Sequence, residues 1–155
     1  MRKTVIILLI IGSFFVQSCN QNNTDLTRKE VIKILISSDK TNLNFTGLNL
    51  IGIDLSRLYL AGSNLDKTNL SQSNLAYTNL EDTYLQYANL KRANLEGANL
   101  NGADCTGADF TGAVLKGTKF KGAILKNTKG LSNKILLQFK AEETERMRNN
   151  DKVFY

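Results

Sequence analysis

An apolar residue, leucine in most cases, returns at every fifth position from Phe45 to Leu125, and the register never slips. With that residue at the centre of each block, the array runs from Leu43 to Asn127, 85 residues in 17 blocks, more than half of the 155-residue chain. A five-residue unit is too small to bury its own apolar side chain and must stack on copies of itself, which commits the chain to a solenoid. None of the 17 central residues, among them Leu50, Leu75, Leu90, Cys105 and Phe110, carries a charge. Two positions before the centre the residues are small from Ser63 onward, as in Thr68, Ser73, Ala88, Ala98 and Ala123. A narrow core that takes one large and one small residue per side demands that pairing.

The residue before the centre is most often asparagine, as in Asn64-Leu65, Asn69-Leu70, Asn79-Leu80, Asn89-Leu90 and Asn99-Leu100. The block resembles the A(D/N)LXX motif of the pentapeptide repeat family. The resemblance implies an all-β solenoid, a right-handed quadrilateral β-helix with four blocks per coil. The central residue and the residue two before it then point inward and the other three face solvent. Residues twenty apart stack, so Leu55, Leu75, Leu95 and Leu115 form one inner column and Asn49, Asn69, Asn89 and Asp109 one outward ladder. Roughly four coils at about 4.8 Å per strand spacing give a rod on the order of 20 Å long. Glycine closes many blocks, which suits a sharp corner. The middle blocks carry Lys67, Gln72, Tyr77, Asp82, Tyr87 and Arg92 there instead, and a different corner geometry is expected for them.

Five segments follow. Residues 1–18 read as a lipoprotein signal peptide: a basic start at Arg2 and Lys3, then an apolar run from Val5 to Val16 too short to span a bilayer. Val16-Gln17-Ser18-Cys19 resembles a bacterial lipobox, which implies lipidation of Cys19 and cleavage before it, looser than the family pattern because Gln17 is not small. Residues 19–26 are then a lipidated tether, and Asn20 leans the sorting toward the outer membrane. Residues 27–42 hold a short N-terminal capping helix, opened by a capping box at Thr27 and Glu30 and carrying Val31, Ile32, Leu35 and Ile36 on its apolar side. Leu48, Ile53 and Leu58 fill the usually small inward positions, as a wider end beneath that helix requires. Residues 43–127 are the β-helix. Residues 128–155 form a C-terminal capping helix, with Ser132 as its cap, and an apolar tail, Val153-Phe154-Tyr155, through which two chains could pair.

Charge is segregated along the chain. Cys19 to Leu115 carries 8 basic and 10 acidic residues, whereas Lys116 to Tyr155 carries 10 basic and 4 acidic. The chain has no histidine, which excludes histidine triads and histidine metal sites, and no phosphate-cradling glycine loop. Neither catalysis, nor a cofactor, nor a metal is expected. The expected function is that of a non-enzymatic envelope lipoprotein, a rigid scaffold or protein-binding rod joined to the membrane by its N-terminal lipid. Tyr59, Tyr77, Tyr84 and Tyr87 are its candidate partner contact, taken together as one aromatic patch. The alternative places an anionic envelope polymer or lipid on Lys116, Lys119, Lys121 and Lys126. A third reading, from family members that mimic DNA and bind gyrase, fails on charge, since the repeat holds 7 acidic and 8 basic residues. No nucleic acid is expected. Cys105, at a central position, is expected to be a buried thiol without a disulfide.

Overall fold

Every residue that precedes a block centre pairs in parallel with the residue twenty positions on, from Asn44 with Asn64 to Asp109 with Lys129. The computed structural model describes residues 7–10, 13–16, 25–37, 43–133, 135–137 and 141. Twenty residues therefore make one coil with four sides, and each side pairs through a one-residue bridge instead of a long strand. The ladder continues two residues beyond Asn127, to Lys129.

The block 73–77 shows why the unit has five residues. The Ser73 amide donates to the Leu70 carbonyl (3.2 Å) and closes the corner behind it. The Asn74 amide reaches back one coil to Ile53 O (2.9 Å), while Leu75 and Tyr77 donate forward to Asn94 O (2.7 Å) and Glu96 O (2.8 Å). The fifth amide, Ala76, has no backbone partner in this scheme and donates to Asn74 Oδ1 (3.2 Å). The asparagine is thus part of the backbone's hydrogen bonding, which a buried or half-buried amide must complete. The same bond recurs from Thr46 to Asn44, Glu81 to Asn79, Glu96 to Asn94 and Thr111 to Asp109. At Tyr84 and Lys119, which replace the asparagine, the neighbouring coil supplies the acceptor: Gln86 donates to Asp66 Oδ1 (2.8 Å) and Lys121 to Asn101 Oδ1 (2.9 Å).

The core is the inner column set. Leu65, Leu70, Leu75, Leu80, Leu85, Leu90, Leu95 and Leu100 are wholly buried, each contributing about 1.5–3 kcal/mol by burial. Small residues between them are buried too, and their hydroxyls are used: Thr68 donates to Phe45 O (2.9 Å) and Thr78 to Leu55 O (2.9 Å). Phe110 and Phe120 meet edge to face across the last coils at 6.1 Å. Cys105 is buried and free, its thiol pushed up to about 12 by burial and by the neighbouring Asp104.

Helix α1 spans Arg28–Ser37. Its capping box forms as the sequence requires, with the Thr27 amide donating to Glu30 Oε2 (2.7 Å) and the Glu30 amide to Thr27 Oγ1 (3.4 Å). Val31 and Ile34 join Leu26, Leu43, Phe45, Leu48 and Ile53 in the core, and Leu35 and Leu58 pack against it. The helix is rolled relative to the expected stripe: Ile34 is inside, and Ile36 is 79% exposed. Arg28 lies on the same inward side as Val31 and Ile34 and bonds the first coil through Asp54 O and Ser56 O. The apolar run before Cys19 contains β1 (Ile7–Ile10) and β2 (Ser13–Val16), antiparallel, with Ile7 opposite Val16. The C-terminal segment is helical at residues 133, 135–137 and 141, and the Ile135 amide donates to Ser132 Oγ (3.4 Å). Residues 19–24, 38–42 and 142–155, with Cys19 and the Val153-Phe154-Tyr155 tail among them, lie outside the described residues.

The corners correct one expectation. Lys67, Gln72, Tyr77, Asp82, Tyr87 and Arg92 adopt the same left-handed corner as the glycines, with φ of 53° to 59° against 64° to 72° for Gly47 through Gly122. Positive φ at the third residue of a hydrogen-bonded four-residue turn is the type II corner. The bonds of each block demand that angle whatever the side chain, and a non-glycine residue bears about 1–2 kcal/mol of strain there. Lys67→Gly should therefore be neutral or stabilising by up to about 1 kcal/mol, after the greater chain entropy of glycine is subtracted. Lys67→Val should lower the urea midpoint, because a β-branched residue tolerates the angle worst. Equal midpoints for the two variants would remove the strain argument.

Candidate functional site

With the interior filled by side chains, the chemistry of the described rod lies on its outside and at its two ends. Among the described residues no group of three histidine, cysteine, aspartate or glutamate side chains gathers as a metal site would require.

The four tyrosines are exposed, at 51–62% of their surface, but they do not come together. Tyr77 and Tyr87 both stand on corners ten residues apart, half a coil, and so occupy opposite corners of the rod. Tyr59 lies near the Tyr77 corner one coil earlier, and Tyr84 lies on the side that ends in Tyr87. The single aromatic patch resolves into two pairs, because sequence proximity within a coil is angular separation around it. Tyr77 is also engaged along its own column. The Arg57 guanidinium stands 5.6 Å from its ring centroid, and a Cβ on Gly97 would sit 2.6 Å from the ring. Tyr87 covers Gly107 in the same way. These rings occupy the space that the next coil's glycine leaves open.

The lysines are all exposed, and the twenty-residue coil distributes them around the axis. Lys116 is on one side, Lys119 and Lys121 on the next and Lys126 on the third. Lys129, which the ladder adds to the set, is on the fourth. Lys116 meets Glu96 at 3.4 Å. Among the described residues Lys119, Lys121, Lys126 and Lys129 form no ion pair.

Polar ladders run along the sides. Asn89 Nδ2 donates to Asn69 Oδ1 (3.0 Å), and Asn74 Nδ2 donates to Asp54 Oδ1 (3.2 Å). Three ladder carboxylates are held below their ordinary range. Asp54 and Asp109 owe this chiefly to the hydroxyls of Ser56 and Thr111, with Arg28 and Lys91 adding their charge. Partial burial raises Asp104, but the Thr106 hydroxyl and amide and the Gln86 amide together outweigh it.

At the N-terminal end, side chains and one amide stand in for the coil that is missing. On one side of the first coil, Arg28 Nη1 donates to Asp54 O (2.8 Å) and Nη2 to Ser56 O (3.1 Å). These are the two carbonyls that, one coil later, accept Leu55-type and Arg57-type amides at Asn74 and Ala76. On the adjacent side the Asp25 amide donates to Asn49 O (2.7 Å) and its carboxylate accepts from the Asn49 amide (2.6 Å). Sequence reasoning missed both residues; the signal was a charged residue placed just before the first block, where an edge needs partners.

The family model described as pentapeptide repeats matches in 8 copies, over residues 41–75, 53–90 and 88–127. Among solved structures, a pentapeptide repeat protein from the cyanobacterium Cyanothece 51142 is 36% identical at a TM-score of 0.56, over 67% of this chain and 76% of that chain. Another, from Nostoc PCC 7120, is 27% identical at a TM-score of 0.62, over 73% of this chain and 92% of that one. The plasmid-mediated fluoroquinolone resistance protein QnrB1, trypsin-treated, aligns at 20% identity and a TM-score of 0.23 over 56% of this chain and 59% of its own. At that distance it carries no functional argument. No curated protein sequence matches the chain.

The ladder carboxylates give a pH dependence of known sign. Their folded pKa values lie below the ordinary 3.8, so the stability they contribute is present above that value and is lost as pH falls through the folded ones. Asp54→Asn/Asp104→Asn/Asp109→Asn keeps the Oδ1 acceptors and removes the titration. Thermal melts at pH 5 and at successive steps below pH 4 should show a shallower acid loss in the triple variant; parallel curves for variant and parent would contradict the assignment.

Proposed function

Since the chain belongs to the pentapeptide repeat family, we propose that it serves without catalysis, as a lipid-anchored rod of the bacterial cell envelope that presents its outer surface to a protein partner. The observation that carries this reading is the filled interior: with the central leucines wholly buried, the described rod has only outward ladders and corners to offer. Such a surface is rigid, because each block's amides are bonded within the coil stack, and rigidity suits a scaffold or display role. In this reading helix α1 is the N-terminal cap and the segment from residue 128 the C-terminal one, as a stacked array needs at both ends.

Attachment to the membrane is proposed from Arg2, Lys3, the apolar run and the Ser18-Cys19 junction. Among the described residues no helix is long and apolar enough to cross a membrane. In this reading Cys19 carries the acyl chains, and several of them hold a protein where one does not. Asn20 leans the location toward the outer membrane. The partner contact falls on one or both of the exposed tyrosine pairs, Tyr84 with Tyr87 and Tyr59 with Tyr77.

The test is fatty-acid labelling with membrane fractionation of the native chain beside Cys19→Ala. Label and membrane recovery in the native chain, both abolished in the variant, are the expected result. Unlabelled native protein in the soluble fraction would overturn the anchor.

A further inference from the structure

Position 84 lies in the ladder column of Asn44, Asn64 and Asp104, where the fold asks for a side-chain oxygen. Tyrosine cannot serve the amide two residues on, and Gln86 N donates instead to Asp66 Oδ1 of the coil before (2.8 Å). The Tyr84 ring is half exposed, at 51%, and the bonding of its own block makes no use of it. Tyr87, three residues later, closes the same side with its ring laid over Gly107. Between the two stands Gln86, whose Nε2 donates to Asp104 Oδ2 (2.7 Å). The other tyrosine pair is built differently. Tyr77 already carries the Arg57 guanidinium 5.6 Å from its ring centroid, and Tyr59 follows Arg57 by two residues. Among the described residues no cation stands over Tyr84 or Tyr87.

The surroundings of Tyr84 are acidic. Asp104 stands one coil later in its own column, Asp66 one coil earlier on the same side, and Asp82 on the corner that leads into it, against Gly102. None of the three is in an ion pair among the described residues. Along this side, residues 63–67, 83–87 and 103–107, Lys67 is the one base. We propose that Tyr84 seats an arginine side chain of a basic polypeptide partner, the guanidinium lying over the ring in the field of Asp66, Asp82 and Asp104. This rests on the reading of the exposed tyrosine pairs as protein contacts, and it names the partner's chemistry. The face of an aromatic ring attracts a cation, and nearby carboxylates add to that attraction. Arg57 over Tyr77 is the chain's own use of the same contact. A planar guanidinium suits the place better than an ammonium, because it stacks on the ring while its edge donors reach carboxylate oxygens. An acidic partner is repelled, and an apolar one would strip water from three carboxylates without pairing them.

The test uses the full chain in nonionic detergent and four dye-labelled peptides that alternate glycine with arginine, lysine, glutamate or leucine, with binding followed by anisotropy. The arginine peptide should bind at low salt, more tightly than the lysine one, and weaken as salt is raised. Tyr84→Asn installs the residue that the ladder itself uses, so the melting temperature should hold or rise while the association constant falls about two- to fivefold. Tyr84→Phe keeps the ring and should keep the binding. Tyr59→Asn, the same exchange beside Arg57, should leave it unchanged. Asp66→Asn with Asp82→Asn and Asp104→Asn keeps the Oδ1 acceptors and should lower binding about fivefold or more at low salt, with a flatter salt response. Failure of the arginine peptide to bind, or equal binding by parent and Tyr84→Asn, would overturn the proposal. The leucine peptide binding as tightly as the arginine one, with the same loss in Tyr84→Asn, would overturn the cation seat and leave the protein contact standing. Binding of a neutral soluble glycan with none of the peptides bound would overturn both.

Discussion

The structure depends on one bond that is easy to overlook, the amide two residues after most of the ladder asparagines and aspartates donating to that side chain's Oδ1, with Asn49, whose buried Oδ1 has no partner among the described residues, the exception. Four of the five amides in a block find carbonyls, through the corner or through neighbouring coils, and the fifth does not. A side chain one residue before the centre that carries an oxygen at the right reach completes the set, and only asparagine and aspartate have it. The leucine column supplies the burial energy, but it would suit many solenoids. The Asx bond completes the backbone bonding of most blocks, and at two of the blocks without it Gln86 and Lys121 borrow their acceptors from Asp66 and Asn101 of the coil before.

The same bonding scheme makes the rod polar. Because each coil donates twice forward for every bond it accepts back, the two ends are chemically different before any side chain is considered. The N-terminal end needs donors, and Arg28 provides a forked pair of them from α1. The last described coil differs from that end in side-chain charge, with Lys116, Lys119, Lys121, Lys126 and Lys129 exposed around it.

Much of this was legible in the sequence. The period and the capping box at Thr27 and Glu30 follow from residue types at fixed spacing. The inward and outward positions and the stacking of residues twenty apart follow from the resemblance to the pentapeptide repeat family, with the uncharged centres and the small residues two before them agreeing. Three features were not. The left-handed corners at Lys67, Tyr77 and Arg92 contradict side-chain preference, because bonds from neighbouring coils outweigh about 1–2 kcal/mol of local strain. The roll of α1 buries Ile34 and exposes Ile36, and it accompanies the bonds of Arg28 to carbonyls 26 and 28 residues away. The tyrosines read as one patch until the coil geometry separates Tyr77 from Tyr87 by half a turn. In each case the deciding partner is remote in sequence, and local composition holds no record of it.

Amide hydrogen exchange, followed residue by residue, tests the bonding scheme most directly. Leu95, Leu100 and Cys105 donate to the following coil, and their amides should exchange only with global unfolding. Ala76, Glu81 and Glu96 donate to the side-chain Oδ1 of Asn74, Asn79 and Asn94, and their amides should be protected too, by orders of magnitude relative to an unstructured amide. Exchange of this second set at the rate of an unstructured amide would contradict the account, since the side-chain bond that completes each block would then not be holding it.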